Sequence, residues 1–214
     1  MTALLILGCG GHAKVVAETA LAVGRFTRIA FVDDRCSSPG DLAPVLGWPV
    51  LGPLAHALEP SLREQFAAAV VAIGHAATRL HWLQQLFAAG YELPVLIHPS
   101  AWVSPSAQIG PGSVLFAQVV VQAQARIGAG AILNTSCSVD HDVQLADGVH
   151  VCPGARLAGE VHVGERSWIG IGASLIQQIR IGSDVTIGAG AAVSSDLPDG
   201  VTAVGVPARV LPRS

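Results

Sequence analysis

Charge is scarce in this chain of 214 residues. Asp, Glu, Lys and Arg make up 13%, the net charge is −3, and no cluster of Lys and Arg stands out. Nucleic acids and anionic membrane surfaces are held through basic patches, so the composition argues against both as partners. Long apolar runs are missing too. Phe66–Ile73 is the longest unbroken one, far short of the roughly 20 residues that a membrane-crossing helix needs. Cysteine is limited to Cys9, Cys36, Cys137 and Cys152, none of them in a C-x-x-C pair. No disulfide framework or metal knuckle follows from that spacing, and free thiols of a cytoplasmic protein are expected. The N-terminus lacks a basic segment ahead of Leu4–Leu7 and reads as a buried first strand, with no signal peptide.

What the chain has in quantity is aliphatic side chain, 51% hydrophobic residues in all, distributed by two different rules. Residues 1–94 alternate strand and helix. Leu4–Leu7, Ile29–Val32 and Val70–Ile73 are short apolar runs. Helical spacing occupies Ala13–Val23 and Ala76–Ala89, the latter with Leu80, Leu83, Leu86 and Phe87 expected on its buried face. Strand and helix in this order predict a small Rossmann-like α/β domain with a parallel sheet.

Residues 95–214 follow a period of six. Stepping by six from Ile97 gives Val103, Ile109, Leu115 and so on to Val193, seventeen aliphatics without a miss. Four residues after each comes a small or aliphatic residue, as at Ser113, Ala125, Cys137 and Val143. Gly often follows the aliphatic directly, as at Gly110, Gly128, Gly164, Gly170, Gly182 and Gly188, where it is expected to ease the backbone round a corner. Neither an α-helix nor a plain strand has this period. A parallel β-helix does: three hexads make one triangular coil, and residues 18 apart stack. Flat prism faces of that kind suit packing against further copies.

Within this apolar repeat lies Asp140-His141-Asp142. With Val139 pointing inward, His141 falls on or near the outer surface, where core packing does not require it. A histidine there suits proton transfer near neutral pH, and an adjacent carboxylate would fix its tautomer. Strand alternation alone leaves both Asp140 and Asp142 open as that partner. Gly159 lies 18 residues on, one coil from His141. It leaves room, and its N–H could serve as an oxyanion donor.

Three stretches together carry a family resemblance: Ile6–His12 (ILGCGGH), Asn134–Asp142 with its Val-Asp-His-Asp, and Gly205–Arg209 (GVPAR). The chain resembles, over essentially its whole length, the left-handed β-helix sugar acetyltransferases. That family includes sialic acid O-acetyltransferases and N-acetyltransferases of nucleotide-linked amino sugars. The resemblance implies a homotrimer using acetyl-CoA and no metal, with active sites at subunit interfaces. It implies direct transfer to the 4-amino group of a nucleotide-linked 4-amino-4,6-dideoxy sugar, GDP-perosamine favoured, in surface polysaccharide biosynthesis. It implies His141 as general base with Asp142, and contacts to acetyl-CoA from His150, Ile171 and Ala189 beside Gly159. The small N-terminal domain would hold the nucleotide-sugar.

That domain begins with Gly8-Cys-Gly-Gly-His-Ala13, a match to G-x-G-x-x-A, and Asp33 follows 25 residues later. A tight glycine turn frees helix N-terminal amides for an anion. Only about 95 residues precede the repeats, half of what a dinucleotide fold needs, so a mononucleotide diphosphate fits better. Gly10, Gly11, His12, Asp33, Asp34 and Gly74 are the expected nucleotide-sugar contacts, with Arg79 as a diphosphate partner. Two other readings share the sequence: O-acetylation of sialic acid or another sugar, and a non-catalytic scaffold that binds sugar nucleotides. A zinc-dependent trimeric β-helix carbonic anhydrase is disfavoured, because no two of His98, His141, His150 and His162 show the H-x4-H spacing of its ligands.

Overall fold

A computed structural model of the chain describes residues 2–212. It divides after His98 into two compact units.

The first unit is built on a three-stranded parallel sheet in the order β2-β1-β3. The strands are β1 (Thr2–Leu7), β2 (Phe26–Val32) and β3 (Ala68–Val71). Leu4, Leu5, Ile6 and Leu7 of the central strand are fully buried, as a parallel strand covered on both faces must be. Helix α1 (Gly11–Ala22) contributes Ala13, Val16, Ala17 and Ala20 to the interior. Helix α3 (Ala76–Ala88) contributes Leu83 and Leu86. Each of the buried valine and leucine side chains is worth about 1.5–3 kcal/mol in transfer free energy. Phe87 does not join them. It is 74% exposed, and the buried face of the helix is completed by Arg79 in its first turn. A 3-10 turn (Leu54–Leu58) and the short helix α2 (Pro60–Gln65) precede β3. They are fastened by Tyr91, whose hydroxyl donates to the Ala57 carbonyl at 2.7 Å.

The hexad series is realised strand by strand. Each of the seventeen aliphatics ends a two-residue strand, from Leu96–Ile97 to Ala192–Val193. In the second unit the hexad strands pair in parallel with a register of 18, as Val139 with Val121 below and Leu157 above. This is the left-handed β-helix of hexapeptide repeats. Its first face carries the strands ending at Leu115, Leu133, Val151, Ile169 and Ile187. The second carries those ending at Val103, Val121, Val139, Leu157, Leu175 and Val193, and the third those ending at Ile109, Ile127, Leu145, Val163 and Ile181. From Ser113 onward the residues four beyond each aliphatic are buried in the interior, Cys137, Val143 and Ala155 among them. Ser113 and Ser167 are the polar cases: the Ser113 hydroxyl donates to the Gly128 carbonyl at 2.9 Å and accepts the Ala131 N–H at 3.0 Å, and Ser167 does the same with the Gly182 carbonyl and the Val185 N–H.

The corner glycines work otherwise than expected. Gly110, Gly128, Gly164, Gly170, Gly182 and Gly188 do not have positive φ. They are glycine because the next coil is too close: a Cβ on Gly170 would stand 2.4 Å from the Ile187 carbonyl oxygen. The left-handed residues come two positions later. From Gly112 to Gly190 the third residue after the aliphatic has φ between 54° and 71°, and it is Gly, Gln, Ser, Asp, Glu or Arg. No described helix is long and apolar enough to cross a membrane.

Candidate active site

His141 sits on the edge between the second and third faces, in the turn that follows Ser138–Val139. Three local features fix it. Asp140 accepts the His141 backbone N–H at 2.9 Å, which commits one of the two flanking carboxylates to the turn. Asp142 occupies the left-handed position, with φ of 58°. That bend returns its carboxylate to the ring, with Nδ1 to Oδ2 at 2.9 Å. The next coil then closes over the turn, Glu160 donating its N–H to the His141 carbonyl at 2.9 Å.

A carboxylate can only accept, so Nδ1 carries the proton and Nε2 keeps its lone pair. Both side chains are about half exposed, at 55% and 54%. The hydrogen bond to Asp142 raises the His141 pKa above the ordinary histidine value, against the smaller opposing effect of burial, and the charges of Asp140, Asp142 and Glu160 add to the rise. Gly159 lies against this ring: a Cβ there would stand 2.5 Å from both Cε1 and Nε2. Among the described residues the Gly159 N–H finds no acceptor. The edge thus combines an oriented base, a glycine whose missing side chain makes room for the ring, and an available backbone donor.

The other expected residues of this unit stand elsewhere on the prism. His150 is on the first face, with its ring edge-on to Trp168 at a centroid distance of 6.3 Å. Its Nε2 is 3.4 Å from Asn134 Nδ2. Ile171 and Ala189 are exposed and stack one coil apart on the edge between the first and second faces, where the Gly190 N–H reaches the Ile171 carbonyl at 2.7 Å. The whole second face separates that edge from the one bearing His141 and Gly159. His162 is on the third face, its Nδ1 3.1 Å from the Glu160 carbonyl.

In the first unit, the expected nucleotide residues gather where the parallel strands end. Gly8 has φ of 98°, and a Cβ there would meet the Ala72 carbonyl oxygen at 2.9 Å. Gly10 and Gly11 follow as the exposed start of α1, whose first turn has no side-chain cap. His12 is held neutral, its pKa lowered to about 4 by burial and by the nearby Arg79 charge. Asp34 is spent on structure, accepting the Leu54 N–H that opens the 3-10 turn. Arg79 faces inward, 1% exposed, with Nη1 donating to the Ile73 and Gly74 carbonyls at 2.9 and 2.8 Å. It shapes the Gly74 loop from below. Asp33 is bound up with a residue the sequence reading overlooked, Arg35, through Oδ1 at 2.8 Å and Oδ2 at 3.0 Å. A basic side chain two residues past the acid that ends the second strand was the available signal.

Comparison with known proteins agrees with this architecture. Residues 3–86 match the PglD N-terminal domain family, and residues 160–195 match the bacterial transferase hexapeptide (six repeats) family. No curated protein sequence matches. Among solved structures, the acetyltransferase domain of PglB from Neisseria gonorrhoeae FA1090 shares 46% identity at a TM-score of 0.92, over 99% of this chain and 100% of that one. That domain is also known in complex with acetyl coenzyme A. PerB from Caulobacter crescentus, in complex with CoA and GDP-perosamine, shares 42% identity at a TM-score of 0.92, over 99% of this chain and 98% of that one. A variant of the Caulobacter GDP-perosamine N-acetyltransferase with a histidine replaced by alanine, again in complex with CoA and GDP-perosamine, has a TM-score of 0.93 at 40% identity, over 100% and 98% of the two chains. WeeI from Acinetobacter baumannii AYE shares 27% identity at a TM-score of 0.87, over 99% and 100%. With full-length identity of 40–46% to such enzymes, a glycine-loop α/β unit and an unbroken hexad prism, the chain belongs to the left-handed β-helix, hexapeptide-repeat sugar acetyltransferases and is an acyltransferase.

Proposed function

We propose that the protein transfers an acetyl group from acetyl-CoA to the 4-amino group of a nucleotide-linked 4-amino-4,6-dideoxy sugar, with GDP-perosamine as the favoured acceptor. The observation that carries this reading is the His141 ring, oriented by Asp142 and open at Nε2 beside Gly159. The neutral sugar amine attacks the thioester carbonyl, forming the C–N bond. The developing oxyanion meets the Gly159 N–H. His141 Nε2 takes the proton that the nitrogen sheds, the C–S bond breaks, and the proton passes to the departing CoA thiolate. Asp142 stabilises the imidazolium in between. No covalent enzyme intermediate is required. Cys137 and Cys152 are poor nucleophiles, since burial pushes both thiols up to about 12.

The glycine loop of the first unit receives the nucleotide, and the prism performs the transfer. His150, Ile171 and Ala189 hold acetyl-CoA. They lie a full face away from His141, so one site takes His141 from one prism and the acetyl-CoA residues from its neighbour. A closed homotrimer supplies three such seams. The product is a building block for a surface polysaccharide, made in the cytoplasm. That a histidine variant of the Caulobacter relative binds both CoA and its sugar nucleotide supports a base whose role is separable from binding.

The decisive assay offers acetyl-CoA with GDP-, UDP- and dTDP-linked 4-amino sugars and with sialic acid. An amide product from the GDP-linked amine is expected. Transfer only to a hydroxyl overturns the assignment.

A further inference from the structure

We propose that Arg35 is the cation that pairs with the diphosphate of the nucleotide-linked acceptor, with Asp33 as its positioning residue. This rests on the acceptor class assigned above. Asp33 has little capacity left for a ligand. Its Oδ1 accepts the Arg35 backbone N–H at 3.0 Å and Nε–H at 2.8 Å. Its Oδ2 accepts Arg35 Nη2–H at 3.0 Å and the Cys9 backbone N–H at 2.9 Å. The carboxylate is therefore a bracket with the glycine loop on one side and a guanidinium on the other, and not a free acceptor for a ribose hydroxyl.

The arginine is in the opposite condition. Its side chain is 64% exposed, yet it is pinned by a two-point fork of the kind that fixes guanidinium planes. Nη2 also reaches Cys9 Sγ at 3.1 Å. A guanidinium has five N–H groups. Asp33 and Cys9 occupy those on Nε and Nη2, which leaves the Nη1 pair directed at no described residue. Cys9 sits between Gly8 and Gly10 in the loop that opens α1. The guanidinium thus stands against Cys9, the residue before the exposed Gly10 and Gly11, where even a Cβ would meet nothing within 4 Å. An exposed arginine ordinarily gives up side-chain freedom on binding an anion. Here the fork has already imposed that order.

The other arginines of the unit are committed elsewhere. Arg25 pairs with Glu92, Arg28 with Gln65 and the Phe66 ring, and Arg63 with the Gly90 carbonyl and the Tyr91 ring. Arg79 points inward.

The test is calorimetric titration of the full-length protein with guanosine, GMP, GDP, UDP and dTDP. The proteins compared are wild type, Arg35→Ala and Arg35→Lys, alongside steady-state kinetics. Arg35→Ala is expected to lose about tenfold or more in GDP affinity, the scale of one or two charge-assisted hydrogen bonds, with guanosine affinity unchanged. KM for the sugar nucleotide should rise by the same factor while kcat and the KM for acetyl-CoA hold. Arg35→Lys should recover part of the loss. Equal GDP affinity in wild type and Arg35→Ala overturns the proposal, and so does an equal loss for guanosine, which would put the arginine on the base. A wild type that binds GDP separates those failures from failure of the acceptor assignment. A wild type that binds neither GDP nor any other nucleoside diphosphate removes both.

Discussion

His141, the proposed base, is tuned by the residue that follows it. The left-handed φ of Asp142 turns its carboxylate back onto Nδ1, and that contact is the largest cause of the raised histidine pKa. A base acts only when unprotonated. The rate should therefore climb as pH rises through the raised His141 value, with an acid limb above the ordinary 6.5. Asp142→Asn keeps a residue type tolerant of positive φ and removes the charge. Its pH profile should show the limb moved to lower pH, with a smaller loss of kcat than His141→Ala. His141→Ala itself should cost at least about 10²-fold in kcat, leaving acetyl-CoA affinity nearly unchanged. A limb that stays in place would show that Asp142 does not tune the ring. Gly159→Ala approaches the same ring from the next coil. Its Cβ would overlap Cε1 and Nε2 at 2.5 Å, so the ring must swing away. Turnover should fall by an order of magnitude or more, with circular dichroism unchanged.

At the scale of the element, the hexad was legible because every coil repeats one packing problem. One aliphatic points inward, a small residue lies four further on, and no insertion interrupts the count. The register of 18 by itself puts Gly159 over His141, as the structure has it. The turns were less legible. Strand alternation could not decide between Asp140 and Asp142, because the deciding fact is a positive φ at the third residue after each aliphatic, and that recurs in residues as unlike as Gln118 and Arg166. The glycine role was misread for a related reason, since sequence shows that glycine recurs but not whether φ or a neighbouring coil demands it. Two substitutions separate the causes. Gly170→Ala meets the Ile187 carbonyl oxygen at 2.4 Å and should destabilise by about 1–3 kcal/mol or more as overpacking. Gly172→Ala, at φ of 66° in open space, should cost only about 1–2 kcal/mol of left-handed strain. Denaturant midpoints would rank them, and equal costs would remove the distinction. In the α/β unit, helical spacing alone put Phe87 inside. It could not foresee that an arginine, capped by two carbonyls, takes the buried turn.

The whole molecule poses a problem that no single prism solves. On the proposed assignment, the thioester meets His141 and Gly159 on one edge while its pantetheine arm follows Ile171 and Ala189 on another, and the second face lies between those edges. A cyclic arrangement resolves this by setting unlike edges of neighbouring copies side by side, a heterologous contact that closes into a ring. The protein should therefore run in solution at about three times its 21.9 kDa chain mass. The sharper consequence is complementation. His141→Ala removes the base from one edge, and Ala189→Trp blocks the exposed pantetheine edge. Each variant alone should be inactive. Co-expressed in equal amounts and mixed at random, they leave an intact pair of edges at about a quarter of the seams. Activity should reappear at roughly that fraction of wild type. If each prism held a complete site, every site in the mixture would carry one lesion or the other, and no activity would return at any mixing ratio.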